Sequence, residues 1–366
     1  MSSASPTLQS WVSTSHPAPP VGALLVFSGD VNGAVLYSPG RAELSAGRFP
    51  GYAIAPDGAT FVATREIRLG TGISYNPDLF LIDTGTGDRT LIAHAGPTEE
   101  FGAPIKWSPD GSRIAYRFVR YSVDPTIEHP GPHPSLETIC VVDIAGSEPT
   151  CFPEAATVFD FDWAPDGERL VLTGPGPTPM RVLDLSSQAV SDMVALDDGR
   201  LQRFLAGAGV GRAVQFTGPA WSPSGRYVAA WVNAQRGVVP VIFTSEGQVV
   251  ALGRRSLGNG YGLAWFPNRG ALAYSQGWSL ERETRWTLRV VDPVTATDHL
   301  IIREAPHTFV LDFLLSPTGG WLALLRSRGH GHPIVEFTDL RGPRTAPPIP
   351  LSSDSSFADW GTAVAR

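Results

Sequence analysis

One short turn signature recurs along this chain and constrains its fold more than any other feature. IKWSPDGSRIAYRF begins at Ile105, FDWAPDGERLVLTG at Phe161, PAWSPSGRYVAAWV at Pro219 and LAWFPNRGALAYSQ at Leu263. AIAPDGATFVATR from Ala53 and LLSPTGGWLALLR from Leu314 are weaker copies. The central prolines are Pro56, Pro109, Pro165, Pro223, Pro267 and Pro317, spaced by 53, 56, 58, 44 and 50 residues. Self-similarity at such a period means one supersecondary unit used repeatedly, with units that bury their apolar faces against each other.

Each copy predicts strand, tight turn, strand. Proline has a fixed φ suited to the second position of a type I turn, and a following Asp, Ser or Asn and then glycine complete the reversal. The flanks are rich in Val, Ile, Leu, Tyr and Trp, as buried strands are. Two further strands follow each hairpin, for example ETICVVDIAGSEPTCF and MRVLDLSSQAVSDMV. Asp83, Asp143, Asp184, Asp292 and Asp339 close the first of these two strands, where a carboxylate can hold the turn amides. About 50 residues, four strands and their turns make one propeller blade. Trp107, Trp163, Trp221 and Trp265 recur two residues before the proline, as inter-blade packing requires. Leu24–Phe27 and Ala34–Tyr37 add a strand pair before the first motif. SSFADWG, with Trp360, resembles FDW at Phe161–Trp163 and is expected to complete the first blade from the C-terminus. The expected architecture is an all-β, seven-bladed propeller of four-stranded antiparallel blades over 21–366, closed by that last strand. Six blades are the alternative. Residues 1–20, rich in Ser and Pro, are expected to be a flexible leader, without the basic and apolar regions of a signal peptide.

The W-S-P-D-G core resembles the blades of TolB-like and WD-repeat-like β-propellers, and those of prolyl-oligopeptidase-type propeller domains. The resemblance covers the chain from about residue 21 onward. It implies the fold and leaves the function open, because such propellers include periplasmic scaffolds, peptidase gating domains and stand-alone binders. The peptidases carry their catalytic triad in a separate domain, and no G-x-S-x-G elbow occurs here.

Other chemistry is thinly represented. EHPGPHP holds Glu128, His129 and His133, and GHGHP holds His330 and His332, but neither offers the ligand set of a zinc site. Asp160, Asp162, Asp166 and Glu168 lack the calcium-loop spacing. LAGAGVGR has a G-x-G-x-G run without the strand and helix of a dinucleotide site, and reads as a flexible inter-blade loop. No cofactor is expected. A net charge of −7 gives no chain-wide footprint for nucleic acid, and no segment approaches the apolar length of a membrane span.

Function is therefore sought in the loops. REIRLGTGISYNPD, RYSVDPTIEHPGPHPS and QGWSLERETRW read as long connections between second and third strands, and Ala195–Val214 as a long inter-blade connection with Arg200, Arg203 and Arg212. Arg68, Tyr75, Arg120, Tyr121, Glu128, His129, His133 and Trp278 are the expected partner-binding residues, with Arg120 and Tyr121 as anchors. The expected function is a non-catalytic protein-binding scaffold, a monomer, in a bacterial envelope. The alternative is an enzyme or small-ligand binder using the central channel. Before each motif tryptophan or its equivalent stand Ala53, Lys106, Asp162, Ala220, Ala264, Leu314 and Asp359, a set with few charges. Lys106 and Asp162 hold equivalent places and are expected to approach within ion-pair distance or share a water. Cys140 and Cys151 flank a hairpin turn symmetrically, within reach of a disulfide. That bond would imply a periplasmic or extracellular compartment; two buried thiols in a cytoplasmic blade are the alternative.

Overall fold

A computed structural model describes residues 24–28, 33–37, 44–47, 51–68, 74–96, 98–122, 133–146, 148–257, 260–267, 269–280, 283–304, 308–328, 334–340, 345–350 and 356–360. Its strands form seven four-stranded sheets. The first to start contains β1 (Leu24–Ser28), β2 (Gly33–Tyr37) and β3 (Leu44–Gly47). Six sheets follow, each of four consecutive strands. They are β4 (Tyr52–Ile54), β5 (Thr60–Arg68), β6 (Ser74–Asp83) and β7 (Arg89–His94); β8 (Glu99–Trp107), β9 (Arg113–Ser122), β10 (His133–Asp143) and β11 (Thr150–Phe152); β12 (Asp160–Trp163), β13 (Arg169–Thr173), β14 (Met180–Asp184) and β15 (Ala189–Val194); β16 (Ala213–Trp221), β17 (Tyr227–Ala234), β18 (Gly237–Thr244) and β19 (Val249–Leu252); β20 (Gly260–Trp265), β21 (Leu272–Leu280), β22 (Glu283–Asp292) and β23 (Thr297–Arg303); and β24 (Thr308–Leu315), β25 (Trp321–Arg328), β26 (Ile334–Asp339) and β27 (Thr345–Pro350). The last strand, β28 (Ser356–Trp360), lies beside β1, in the first-strand place of its sheet. The blades are antiparallel, as in the β16–β17–β18–β19 ladder.

The repeated turn explains why the sequence reverses where it does. Ser108 Oγ accepts the Arg113 amide at 2.9 Å, Ser222 Oγ the Tyr227 amide at 3.0 Å, and Ser316 Oγ the Trp321 amide at 3.0 Å. The motif serine thus captures the first amide of the returning strand. The turn glycine takes a left-handed φ in all six copies, between 61° at Gly270 and 72° at Gly58 and Gly225, which a side chain resists. Asp110 accepts from Ser108 Oγ at 2.6 Å and from the Ser112 amide at 3.1 Å. The Ser108 and Ser112 bonds hold its carboxyl at about 2, below the usual range. At the turns between third and fourth strands, at the same end of the blades, Asp83, Asp143, Asp184 and Asp292 each accept backbone amides two or three residues on.

The chain divides into two compact units: Phe159–Val182 with Ser191–Phe357, and Val21–Val158 with Leu183–Val190 and Ala358–Arg366. In the first, Phe216, Trp221, Val228, Val241 and Phe243 anchor a buried cluster. In the second, Phe101, Trp107, Ile114, Tyr116 and Cys140 do so. The motif tryptophans are buried, and two of them staple neighbouring sheets. Trp107 Nε1 donates to Ala53 O at 2.9 Å, and Trp265 Nε1 to Ala220 O at 3.0 Å. Trp265 also stacks on Tyr227, with ring centroids 6.2 Å apart.

Two expectations need correction. The connection 195–214 is not a loop throughout: Gly199–Gly207 forms a helix, α1. Asp198 caps it by accepting the Leu201 amide at 2.7 Å, and Leu201 and Leu205, four residues apart, are buried on one face. The glycine run follows the helix, with Gly209 at φ 71° and Gly211 at φ 81°. Strand pairing also enters the three long connections from both ends, while 69–73, 123–132 and 281–282 lie outside the described residues. The β5–β6 ladder runs to Arg68↔Ser74, the β9–β10 ladder to His133↔Ser122, and the β21–β22 ladder to Leu280↔Glu283. Their β-branched and aromatic residues, such as Ile67, Val119, Tyr121 and Thr284, continue the pairing beyond the body of the blade.

Candidate functional site

The extended hairpins place the expected partner-binding residues. Arg68 and Tyr75 fall on β5 and β6, Arg120 and Tyr121 on β9, His133 on β10 and Trp278 on β21. Glu128, His129, His330 and His332 lie outside the described residues.

Arg120 and Tyr121 are both held by acids from β8. Arg120 Nε donates to Glu99 Oε1 at 2.8 Å, and Nη2 lies 2.7 Å from the same oxygen. The other oxygen of Glu99 accepts the Gly96 amide at 3.0 Å. Burial raises the Glu99 carboxyl, but the Gly96 amide and the Arg120 guanidinium outweigh it and hold the group below its usual value. Arg120 remains half exposed, so this pair contributes at most about 1 kcal/mol to stability. The Tyr121 hydroxyl donates to Glu100 Oε1. Burial and then that carboxylate push the phenol above its usual range. Consecutive strand residues face opposite ways, so Arg120 and Tyr121 present two sides of the hairpin rather than one patch.

The Cys140 and Cys151 positions pair directly across β10 and β11, with Cα atoms 4.0 Å apart, and the two are joined by a disulfide. Asp162 Oδ2 accepts the Trp221 amide at 2.7 Å, a role the expectation of an ion pair with Lys106 did not include. Lys106 sits opposite Ala115 in the β8–β9 ladder. Trp163 and Trp221 are buried with the other motif tryptophans, and Trp360 ends β28.

Two features were not singled out from sequence. Asp312, on β24, has its carboxyl packed by protein although part of its surface is accessible. Burial raises its pKa to about 7, against a lowering bond from the Phe313 amide at 2.8 Å. The second is a cavity of about 600 Å3 between the β16–β19 and β20–β23 sheets, lined by Arg254, Arg255, Arg289 and Arg303. No local motif marks it, because its arginines come from a turn and two different strands. Among the described residues, no group of three His, Cys, Asp or Glu side chains comes together to hold a metal ion, and no helix is long and apolar enough to cross a membrane.

No family model and no curated protein matches the sequence. Solved structures do match. Oligogalacturonate lyase in complex with manganese superposes with a TM-score of 0.59 at 12% identity, over 84% of this chain and 82% of that one. A putative 6-phosphogluconolactonase from Bacteroides fragilis gives 0.55 at 11%, over 94% and 100%. A chain of the mitotic checkpoint complex gives 0.55 at 13%, over 93% and 89%. TolB from Acinetobacter baumannii is also similar, with a TM-score of 0.48 at 12% identity; the match covers 78% of this chain and 63% of the length of that one. At such identities the likeness concerns fold alone, and the fold is a β-propeller. Proteins with this architecture include enzymes as well as members of protein assemblies.

Proposed function

We propose that this chain is a non-catalytic protein-binding propeller whose partner docks on the extended middle hairpins. The observation that carries this reading is their unequal length. The β13 and β14 strands suffice for a blade with five residues each. In contrast β5 and β6 have nine and ten, and β9 and β10 have ten and eleven. Packing the blade does not require the surplus, and it carries an arginine and a tyrosine whose tips are fixed by Glu99 and Glu100. Side chains fixed before docking lose less entropy on binding, and Arg and Tyr are frequent interface anchors. The Cys140–Cys151 bond supports placing the protein in an oxidising compartment, the periplasm or the exterior.

The test compares recovery of partners from native extract by wild type, Arg120→Ala, Tyr121→Ala and the double variant, alongside thermal melting. Loss of a specific partner by a variant that melts normally is the expected result. Unchanged recovery by a normally folded double variant would refute the site. A second reading, channel chemistry, has one observation in its favour: the Asp312 carboxyl sits near neutrality, as acid–base groups often do. It would gain weight if Asp312→Asn abolished binding of a small ligand without altering partner recovery.

A further inference from the structure

One cavity is lined by four arginines. Its walls come from the turn after β19, which supplies Arg254 and Arg255, and from β21, β22 and β23, which supply Gln276, Arg289 and Arg303. Four guanidinium groups converging on one hollow is unusual in a chain with a net charge of −7. Like charges brought together cost free energy unless acids or a ligand compensate them.

The nearby acids are already engaged. Asp298 accepts from Arg289 Nε through both oxygens, at 3.1 and 2.9 Å, and takes the Tyr274 hydroxyl at 3.0 Å. Glu304, the residue after Arg303, is bonded to Arg326. Arg255 Nη1 donates to Gly209 O at 2.9 Å, behind α1. Among the described residues, Arg254 and Arg303 have no acidic partner, and both are exposed.

Arg289 is the most informative member. Its side chain is only 10% exposed, and only its Nε is committed to Asp298. The two Nη groups have no protein partner among the described residues, although the side chain lines the cavity. These Nη groups are not buried away from water but reach the solvent of the cavity, where a bound oxyanion would replace water as their acceptor. Asp298 holds the planar group by its edge and so fixes the direction of the free fork. The neighbouring frame is also fixed: Tyr274 Oη accepts the Arg254 amide at 2.7 Å, and the Gln276 side chain donates to the Arg254 carbonyl. The guanidinium fork matches carboxylate and phosphate oxygens in bidentate geometry.

We infer that this cavity binds a small, multiply charged oxyanion, a phosphate-bearing or polycarboxylate molecule, with Arg289 as the buried contact and Arg254 and Arg303 closing over it. About 600 Å3 lies within the range of small-molecule sites. The site needs no protein partner.

Calorimetric titration of the full chain tests this, with inorganic phosphate, tripolyphosphate and citrate as probes in chloride buffers of matched ionic strength. Tripolyphosphate, citrate or both should bind at one site per chain. Arg254→Gln and Arg303→Gln should each weaken binding on the order of tenfold, the loss expected for a charge-assisted hydrogen bond. Both positions are exposed, so the double variant should melt as wild type does. Arg226→Gln, a surface change outside the cavity, should leave affinity unaltered. Preference for tripolyphosphate over citrate would assign a phosphate-bearing ligand, and the reverse a polycarboxylate. The inference is overturned if neither probe binds above chloride. It is also overturned if the double variant binds as tightly as wild type, or if Arg226→Gln weakens binding equally, since that would be general screening.

Discussion

Replacing Asp312 by asparagine should make the protein more stable at mildly alkaline pH, and the structure gives both sign and size. The carboxyl is packed on β24, and β20 approaches it closely: a Cβ on Gly262 would lie 3.5 Å from Asp312 Oδ1 and 2.7 Å from a Phe313 ring carbon. Desolvation raises its pKa from the usual 3.8 to about 7, and the Phe313 amide recovers only part of the cost. Among the described residues no charged group contributes to the shift. In the unfolded chain the group ionises near its usual value. Between the two values the unfolded state has released its proton and the folded state has not. The folded state therefore holds more protons, and stability falls as pH rises through this window. A shift of about 3 units corresponds to about 4 kcal/mol at most, fully lost above about pH 7. The accessible part of the side chain lets water reach the carboxylate, which keeps the measured loss below that ceiling.

Asp312→Asn removes the titration and keeps an oxygen for the Phe313 amide, which Oδ1 accepts at 2.8 Å. Guanidinium unfolding of both proteins, at fixed pH values from 4 to 8.5, separates the cases. Near pH 4 the two should be similar. By pH 8 the variant should be the more stable by a few kcal/mol, with the gap opening mainly between pH 4 and 7. Parallel curves across that range would refute the reasoning, as would a variant less stable than wild type at pH 8.

Two further outcomes follow from covalent and capping contacts. Unfolding without reductant should expose no free thiol, and reducing the Cys140–Cys151 bond, with a sequence separation of 11, should lower stability by about 3 kcal/mol; two titratable thiols in the unreduced protein would contradict the bond. Asp198→Ala removes the cap on the Leu201 amide and should cost about 1 kcal/mol in chemical unfolding, and an unchanged midpoint would show that Leu201 and Leu205 alone hold α1.

The blades were legible because their determinants are local and repeated. Ser108, Ser222 and Ser316 hold amides only five residues away, and the turn aspartates reach two or three residues. The tryptophan staples Trp107–Ala53 and Trp265–Ala220 reach 54 and 45 residues, and were still visible as a period. Helix α1 was obscured because its nine residues end in glycines that read as a loop, although Asp198 and the Leu201–Leu205 pair were signals of a capped amphipathic turn. In the sequence the extended hairpins look like loops because charged and proline residues interrupt them. Strand pairing there depends on a facing partner, as Arg65 on β5 has in Asp78 of β6 at 3.3 Å, and not on an unbroken apolar run.

The arginine cavity was not legible for a different reason. Arg254 and Arg255 stand together in a turn, but Arg289 and Arg303 are 35 and 49 positions beyond Arg254 and lie on separate strands. Their convergence depends on how the β20–β23 sheet lies against the preceding one. Sequence shows each as one of 28 basic residues in an acidic chain, and nothing in the neighbours of Arg289 says that its Nε is paired with an acid while its two Nη groups are open to solvent. The difference decides what the residue can do. An arginine fully paired with acids would be structural. One held through Nε alone, at the wall of a cavity whose other arginines have no acidic partner among the described residues, is arranged to receive an anion from outside the chain.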